Sequence, residues 1–319
     1  VRCSGSVRVT GPVPAFDDLP LIEKLGLRHA WGVFGPDDQR GTINFITPRA
    51  RAAAATTVTE GRSIRLDLPL TEPDPPLYGR KPLQHEIYAS DRNNWDDRLD
   101  DFYPQASTQW DSLRHVRCRE FGFWGGETGD PDTHDRLGID NWATGIVGRG
   151  VLLDVDAHLR AQGQPLEPTV NTSLPADLLA EVAEAQGVER RAGDIVCVRT
   201  GWMGTYQGWS PQQREQLREQ MSFPGLAADE AMSRYLWDTR VAAIVADNPA
   251  IEVSPGDPKV GSLHRRLIPL LGFALGELFV LDELRDALAA AGRWEFLFVG
   301  VPLYLPRGVG SPGNALALI

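Results

Sequence analysis

A chain of 319 residues, 42% hydrophobic and 24% charged, can bury one large core or two modest ones, and one compact catalytic unit is expected. Its formal net charge of −11, with the many arginines scattered along the chain and no run of Lys and Arg, argues against nucleic acid or an anionic membrane as partner and leaves a small-molecule substrate. No apolar run reaches the roughly 18 residues of a membrane span and the N-terminus lacks the layout of a signal peptide, so a cytoplasmic protein is expected.

The three cysteines, Cys3, Cys118 and Cys197, are too widely spaced for a disulfide framework or a Cys-based zinc site, which suits a reducing compartment. Residues 1–15 read as an irregular lead-in, and 16–319 as the catalytic domain. The turn-rich stretch from Trp31 to Asn44 should pack over the core as an arm. Thr47 before Pro48 marks the start of an alanine-rich helix that ends by Gly61. Ile64, Leu66 and Leu68 then alternate as in a strand.

Five prolines between Pro69 and Pro82 forbid helix or central strand, leaving an extended surface loop. His85 follows in a short strand-like run, either as a partly buried strand histidine or as part of a pocket wall. The Asp-, Asn- and Arg-rich run from Asp91 to Asp101 reads as a solvated loop. Beyond it, Phe121 to Gly126 mixes aromatics with glycine, as either a flexible wall over a flat ligand or ordinary loop packing.

Further along, Gly148 to Asp154, Gly193 to Trp202 and Val241 to Ala246 read as buried strands. Helices are expected over Pro175 to Gln186, from Ser210-Pro211 onward, and from Glu283 to Ala291 with Asp282 as cap. Asp247 before Asn248-Pro249 reads as a turn residue. Glu295 to Val301 reads as the last strand. Several gaps between strands are too short for a helical crossover, so a mixed sheet in an α/β protein is expected.

The chemistry concentrates in Pro104 to His115. There Asp111 and His115 stand four residues apart, with Gln109 and Gln105 two and six residues before the carboxylate. From a loop or a single turn these side chains can converge on one small volume, as an acid/base pair would need. The same spacing also suits a polar surface turn in which His115 caps a neighbour.

This segment resembles the signature of the cyclase family, the group that includes bacterial kynurenine formamidase and isatin hydrolase, with the pattern H-x-G-T-H-x-D-x-P-x-H. Thr108, Asp111 and His115 match it; Gln105 and Gln109 replace its two metal-binding histidines, and Ser107 and Leu113 its Gly and Pro. Blocks from Trp31 to Asn44, Gly148 to Asp154, Gly193 to Trp202, Asp247 to Pro255, His264 to Leu284 and Gly310 to Asn314 resemble the family as well.

The resemblance implies a mixed-sheet swivelling β/β/α-type single domain, a homodimer or larger homo-oligomer, and hydrolysis of a small cyclic amide, formamide or lactone. It implies that Asp111, His264 and Glu277 hold a divalent metal and that His115 transfers protons. Gln105 and Gln109 offer neutral oxygens, as weaker ligands or as hydrogen-bond partners of the ligands, so preference shifts from zinc towards manganese, magnesium or calcium. Two alternatives stay open: a biosynthetic cyclase or dehydratase using Asp111 and His115 with little or no metal, and a metal-free binding protein on the same fold.

Overall fold

The computed structural model describes residues 12–319. Most of the expected lead-in, and Cys3, lie outside the described residues. A small ribbon of β1 (Leu21–Ile22) and β2 (Leu27–Arg28) precedes α1 (Pro48–Ala55). That helix starts as expected, with the Thr47 side chain accepting from the Ala50 amide ahead of Pro48. Strand β3 (Ser63–Arg65) follows, and Ile64, Leu66 and Leu68 are all buried.

The next two strands correct the sequence reading. β4 (Gln84–Ala89) and β5 (Trp95–Asp100) pair antiparallel, Gln84 opposite Asp100 and Ala89 opposite Trp95, so most of the supposed solvated loop is a strand. Every residue of both strands is exposed. With neither face buried, no hydrophobic alternation marks β5 in the sequence. His85 does lie in a strand, but it is exposed and paired with Asp97 at 2.8 Å.

The chain then runs through β6 (Gln109–Asp111), β7 (Ile146–Asp154), α2 (Val155–Ala161), β8 (Ser173–Leu174), α3 (Ala176–Ala185), β9 (Ile195–Arg199) and α4 (Trp202–Gln207). Next come α5 (Pro211–Glu219), β10 (Gly225–Leu226), α6 (Glu230–Asp238), β11 (Ala243–Ala246), α7 (Leu263–Arg266) and β12 (Ala274–Glu277). It ends with α8 (Asp282–Ala290), β13 (Glu295–Gly300), β14 (Gly310–Pro312) and β15 (Ala315–Leu318). Two strands therefore follow the one expected to be last.

Nine strands make one large curled mixed sheet in a single-domain α/β fold, in the order β14-β6-β12-β11-β9-β7-β13-β15-β3. β12, β11, β9 and β7 are parallel neighbours at its centre, and the remaining pairings are antiparallel. β9 and β11 are buried along their whole length, which is why they read as continuous apolar runs. Pro312 lies on the outermost strand, where its missing N–H costs no ladder hydrogen bond.

Several single residues take their local roles from this frame. Asp247 is buried and accepts from the Thr200 amide at 2.8 Å, the Thr200 hydroxyl at 2.7 Å and the Gly201 amide at 2.9 Å, tying the end of β11 to the end of β9. Asp282 is not a cap: Leu281 holds that position, and the Asp282 carboxylate accepts from Arg199 at 2.7 and 3.0 Å. In the Phe121 to Gly126 stretch, Phe123 and Trp124 are buried and Trp124 Nε1 donates to Asp38 at 3.0 Å, which is packing. Among the described residues no helix is long and apolar enough to cross a membrane.

Candidate active site

The short strand β6 carries the centre of the signature into the sheet between β12 and β14. Gln109 stands opposite Glu277 on one side and Pro312 on the other; Asp111 stands opposite Leu275 and Gly310. Because successive side chains of a strand point to opposite faces, Gln109 and Asp111 share one face and Trp110 takes the other. Trp110 is fully buried against Phe279 and Phe298, with ring centroids 5.4 and 5.9 Å away, and Nε1 donates to the Gly313 carbonyl at 2.9 Å. Its packing anchors the strand and so fixes the polar face.

Glycine at two positions leaves the space this arrangement needs. A Cβ on Gly276 would lie 3.1 Å from the Trp110 ring and 2.8 Å from Phe279. A Cβ on Gly310 would lie 2.4 Å from Cγ of Gln105, whose side chain fills that volume. Gln105 is thereby directed inward, where Nε2 donates to Asp111 Oδ1 and lies 3.2 Å from Nδ1 of His115. His115 Nε2 is 3.7 Å from Asp111 Oδ2, and about a third of the His115 side chain reaches solvent.

The later chain supplies the opposite wall. His264 on α7 places Nε2 2.8 Å from Glu277 Oε1 and 3.6 Å from Asp111 Oδ2. Its Nδ1 is 2.6 Å from Oε1 of Glu252. Glu252 also accepts from the Ser262 hydroxyl at 2.9 Å and from the Leu263 and His264 amides. Gln109 Nε2 donates to Glu277 Oε2 across the strand pair. α7 runs into a single π-helical turn over Leu267–Leu271, a rare local winding that recurs at functional sites.

Electrostatics follow from burial and close opposite charge. Burial raises the Asp111 carboxyl, but His115, His264 and Gln105 outweigh it and hold the group below its ordinary value. Glu277 is raised, first by burial and then by the negative charge of Asp111, against the pull of His264. Burial works against a charged His264, yet contacts with Asp111, Glu252 and Glu277 raise it well above the usual imidazole range. One histidine ring is thus shared by three carboxylates.

The donor set suits a divalent cation. Asp111, His264 and Glu277 each present one ligand-type atom within 4.8 Å of the others. Among the described residues Asp111 Oδ2 and Gln109 Oε1 are buried oxygens with no hydrogen-bond partner, and unpaired buried polar oxygens are costly unless something positive meets them. Gln105 turns its amide nitrogen, not its oxygen, to Asp111. It stands as a hydrogen-bond donor to the Asp111 carboxylate, whereas Gln109 leaves its oxygen without a partner among the described residues, beside Glu277.

The structure brings all six expected residues into one constellation: Gln105, Gln109, Asp111, His115, His264 and Glu277. Sequence reasoning passed over Glu252. Its partner lies twelve residues on, past a turn, at a spacing that belongs to no helix or strand; the signal that could have found it is a lone acidic residue shortly after Asp247-Asn248-Pro249, ahead of a helix bearing a histidine.

The putative cyclase family matches residues 63–253. A solved structure described as a novel cyclase superposes with a TM-score of 0.80 at 29% identity, over 91% of this chain and 99% of its own. Isatin hydrolase A from Ralstonia solanacearum gives 0.60 at 18% identity, over 86% of this chain and 98% of its own. Isatin hydrolase A from Labrenzia aggregata, bound to benzyl benzoate, gives 0.59 at 16% identity, over 83% and 95%, and these two likenesses are of fold. No curated protein matches the sequence. With the family match spanning more than half of the chain and the signature residues gathered on one face of the sheet, the chain belongs to the putative cyclase family.

Proposed function

We propose that the protein is a metal-dependent hydrolase of a small cyclic amide, formamide or lactone. The observation that carries this reading is the pair of partnerless buried oxygens, Asp111 Oδ2 and Gln109 Oε1, beside Glu277 and His264. Asp111, His264 and Glu277 would hold the ion, with the Gln109 oxygen as a fourth, neutral donor. When bound, such an ion supplies Lewis acidity to a carbonyl oxygen and makes water more acidic. A set richer in oxygen than nitrogen favours manganese, magnesium or calcium over zinc.

The remaining work falls to the chain. His115, at the solvent-reaching edge of the site and 3.7 Å from Asp111, is placed to take a proton from water and return it to the departing nitrogen or oxygen. Gln105 bridges Asp111 and His115 and fixes the distance between them. Glu252 sets the orientation of His264 by engaging Nδ1, leaving Nε2 towards Asp111 and Glu277. Assembly into a homodimer or larger homo-oligomer belongs to the same reading, supported by the β4–β5 ribbon, which is exposed on both faces.

A second reading, a cyclase or dehydratase using Asp111 and His115 without metal, is favoured by one feature. The two ring nitrogens of His264 already lie 2.6 Å from Glu252, 2.8 Å from Glu277 and 3.6 Å from Asp111, so the imidazole itself meets the carboxylates. Metal analysis of freshly purified protein, beside a screen of lactones, cyclic amides and formamides with and without chelator, separates the two. About one divalent ion per chain and chelator-sensitive ring opening support the hydrolase. Turnover that survives chelation supports the second reading, and a metal-free protein inert on every substrate leaves only a binding role.

A further inference from the structure

The cations that the sequence scatters are gathered by the fold. Lys24, Arg119, Lys259, Arg265 and Arg266 line one open cavity of about 320 Å³, and among the described residues no Asp or Glu lines it. On a chain of net charge −11 this is a local reversal of sign. Clustered cations in a concave surface repel one another and focus a positive potential into it, an arrangement that an anion relieves.

Two of the five are already engaged. Lys24 pairs with Glu120, and Arg266 donates to the Val260 carbonyl at 2.9 Å. Among the described residues, Arg119, Lys259 and Arg265 make no side-chain hydrogen bond or ion pair. Arg119 is moreover held at φ 47°, in the left-handed region that a non-glycine residue occupies only where its surroundings impose it. Leu25 and Leu27, both packed on a small hydrophobic cluster, add apolar surface to the same lining.

A cavity lined by both cationic and apolar side chains fits a small organic acid. We propose that it binds a carboxylate-bearing small molecule, the carboxylate facing Arg119, Lys259 and Arg265 and the apolar body resting on Leu25 and Leu27. Ser262 links this cavity to the candidate active site: it lines the cavity wall, and its hydroxyl donates to Glu252, which holds His264. The assignment does not depend on the reaction the neighbouring site performs.

The test is titration calorimetry with benzoate, benzamide and inorganic phosphate. Benzoate should bind in a salt-sensitive manner, more tightly than phosphate, and the uncharged benzamide should not bind measurably. Lys259→Gln with Arg265→Gln changes two exposed side chains and should weaken benzoate at least about tenfold, with the melting temperature unchanged. Asp111→Asn should leave benzoate affinity as it is, which separates this cavity from the candidate active site. Benzamide binding as well as benzoate, phosphate binding as tightly as benzoate, or benzoate affinity unaltered by the double variant would each overturn the assignment.

Discussion

His264 Nδ1 lies 2.6 Å from the carboxylate of Glu252, and this contact turns the other ring nitrogen towards Asp111 and Glu277. A carboxylate behind a ligating histidine fixes both its ring orientation and its tautomer. Glu252→Ala should therefore lower manganese affinity by about 10- to 100-fold while Asp111 and Glu277 stay in place. Calorimetric titration with manganese measures this directly. An affinity equal to wild type would show that His264 is held by α7 alone.

Turnover should depend on His115 far more than stability does. Its ring is partly exposed, and truncation leaves Asp111 its contacts with Gln105 and His264. His115→Ala should reduce kcat by about 10² to 10⁴-fold, the usual contribution of a single general acid or base. The variant's melting curve should overlay the wild type's. Near-normal kcat on the identified substrate would remove His115 from the mechanism.

Restoring histidine at the two divergent positions, Gln105→His with Gln109→His, should raise zinc affinity, because imidazole nitrogen is a better partner for zinc than a neutral amide oxygen. Position 109 faces Glu277 directly, so an imidazole there joins the existing cluster. Native activity should fall, since Gln105 would no longer bridge Asp111 and His115. Zinc titration of both proteins checks the first part. Equal affinities would mean that these positions do not face the ion.

Asp67 offers a pH-dependent test of stability. Burial raises its carboxyl from 3.8 to about 6, against the hydrogen bond it accepts from the Ala315 amide at 2.8 Å, and Oδ1 is buried without a partner. The folded protein thus holds this proton more tightly than the unfolded chain. The stabilisation is complete below pH 3.8 and is lost as pH rises through about 6. Asp67→Asn keeps an acceptor for Ala315 and cannot ionise, so its stability relative to wild type should grow between pH 4 and 7, by at most about 3 kcal/mol. Urea unfolding across that range measures it, and a constant difference would refute the assignment.

How legible these features were in the sequence depended on burial and on distance along the chain. β9 and β11 were readable because both are buried throughout and leave unbroken apolar runs. The Thr47-Pro48 and Ser210-Pro211 starts were readable because capping is local chemistry, and both caps form. β5 was not readable: Trp-Asp-Asp-Arg-Leu-Asp pairs through its backbone with β4 and buries nothing.

Within the site, Asp111 and His115 could be singled out from their spacing. His264 and Glu277 came only through the family resemblance, and Glu252 escaped both. The basic cavity was invisible for the same reason. Its cations come from positions 24, 119 and 259–266, and only the folded chain sets them side by side.

The pairing of Gln109 with Glu277 joins residues 168 positions apart. Closing so long a loop costs entropy that is recovered only when the strands zip, so non-local pairings of this kind form slowly. A slip of one residue would turn Trp110 to the polar side and drive Gln109 and Asp111 into the aromatic core. Gln109 and Asp111 therefore reach Glu277 and His264 only in the native register of β6. In a refolding experiment, recovered catalysis should therefore lag behind the recovery of helical signal, timing the moment at which β6 enters between β12 and β14.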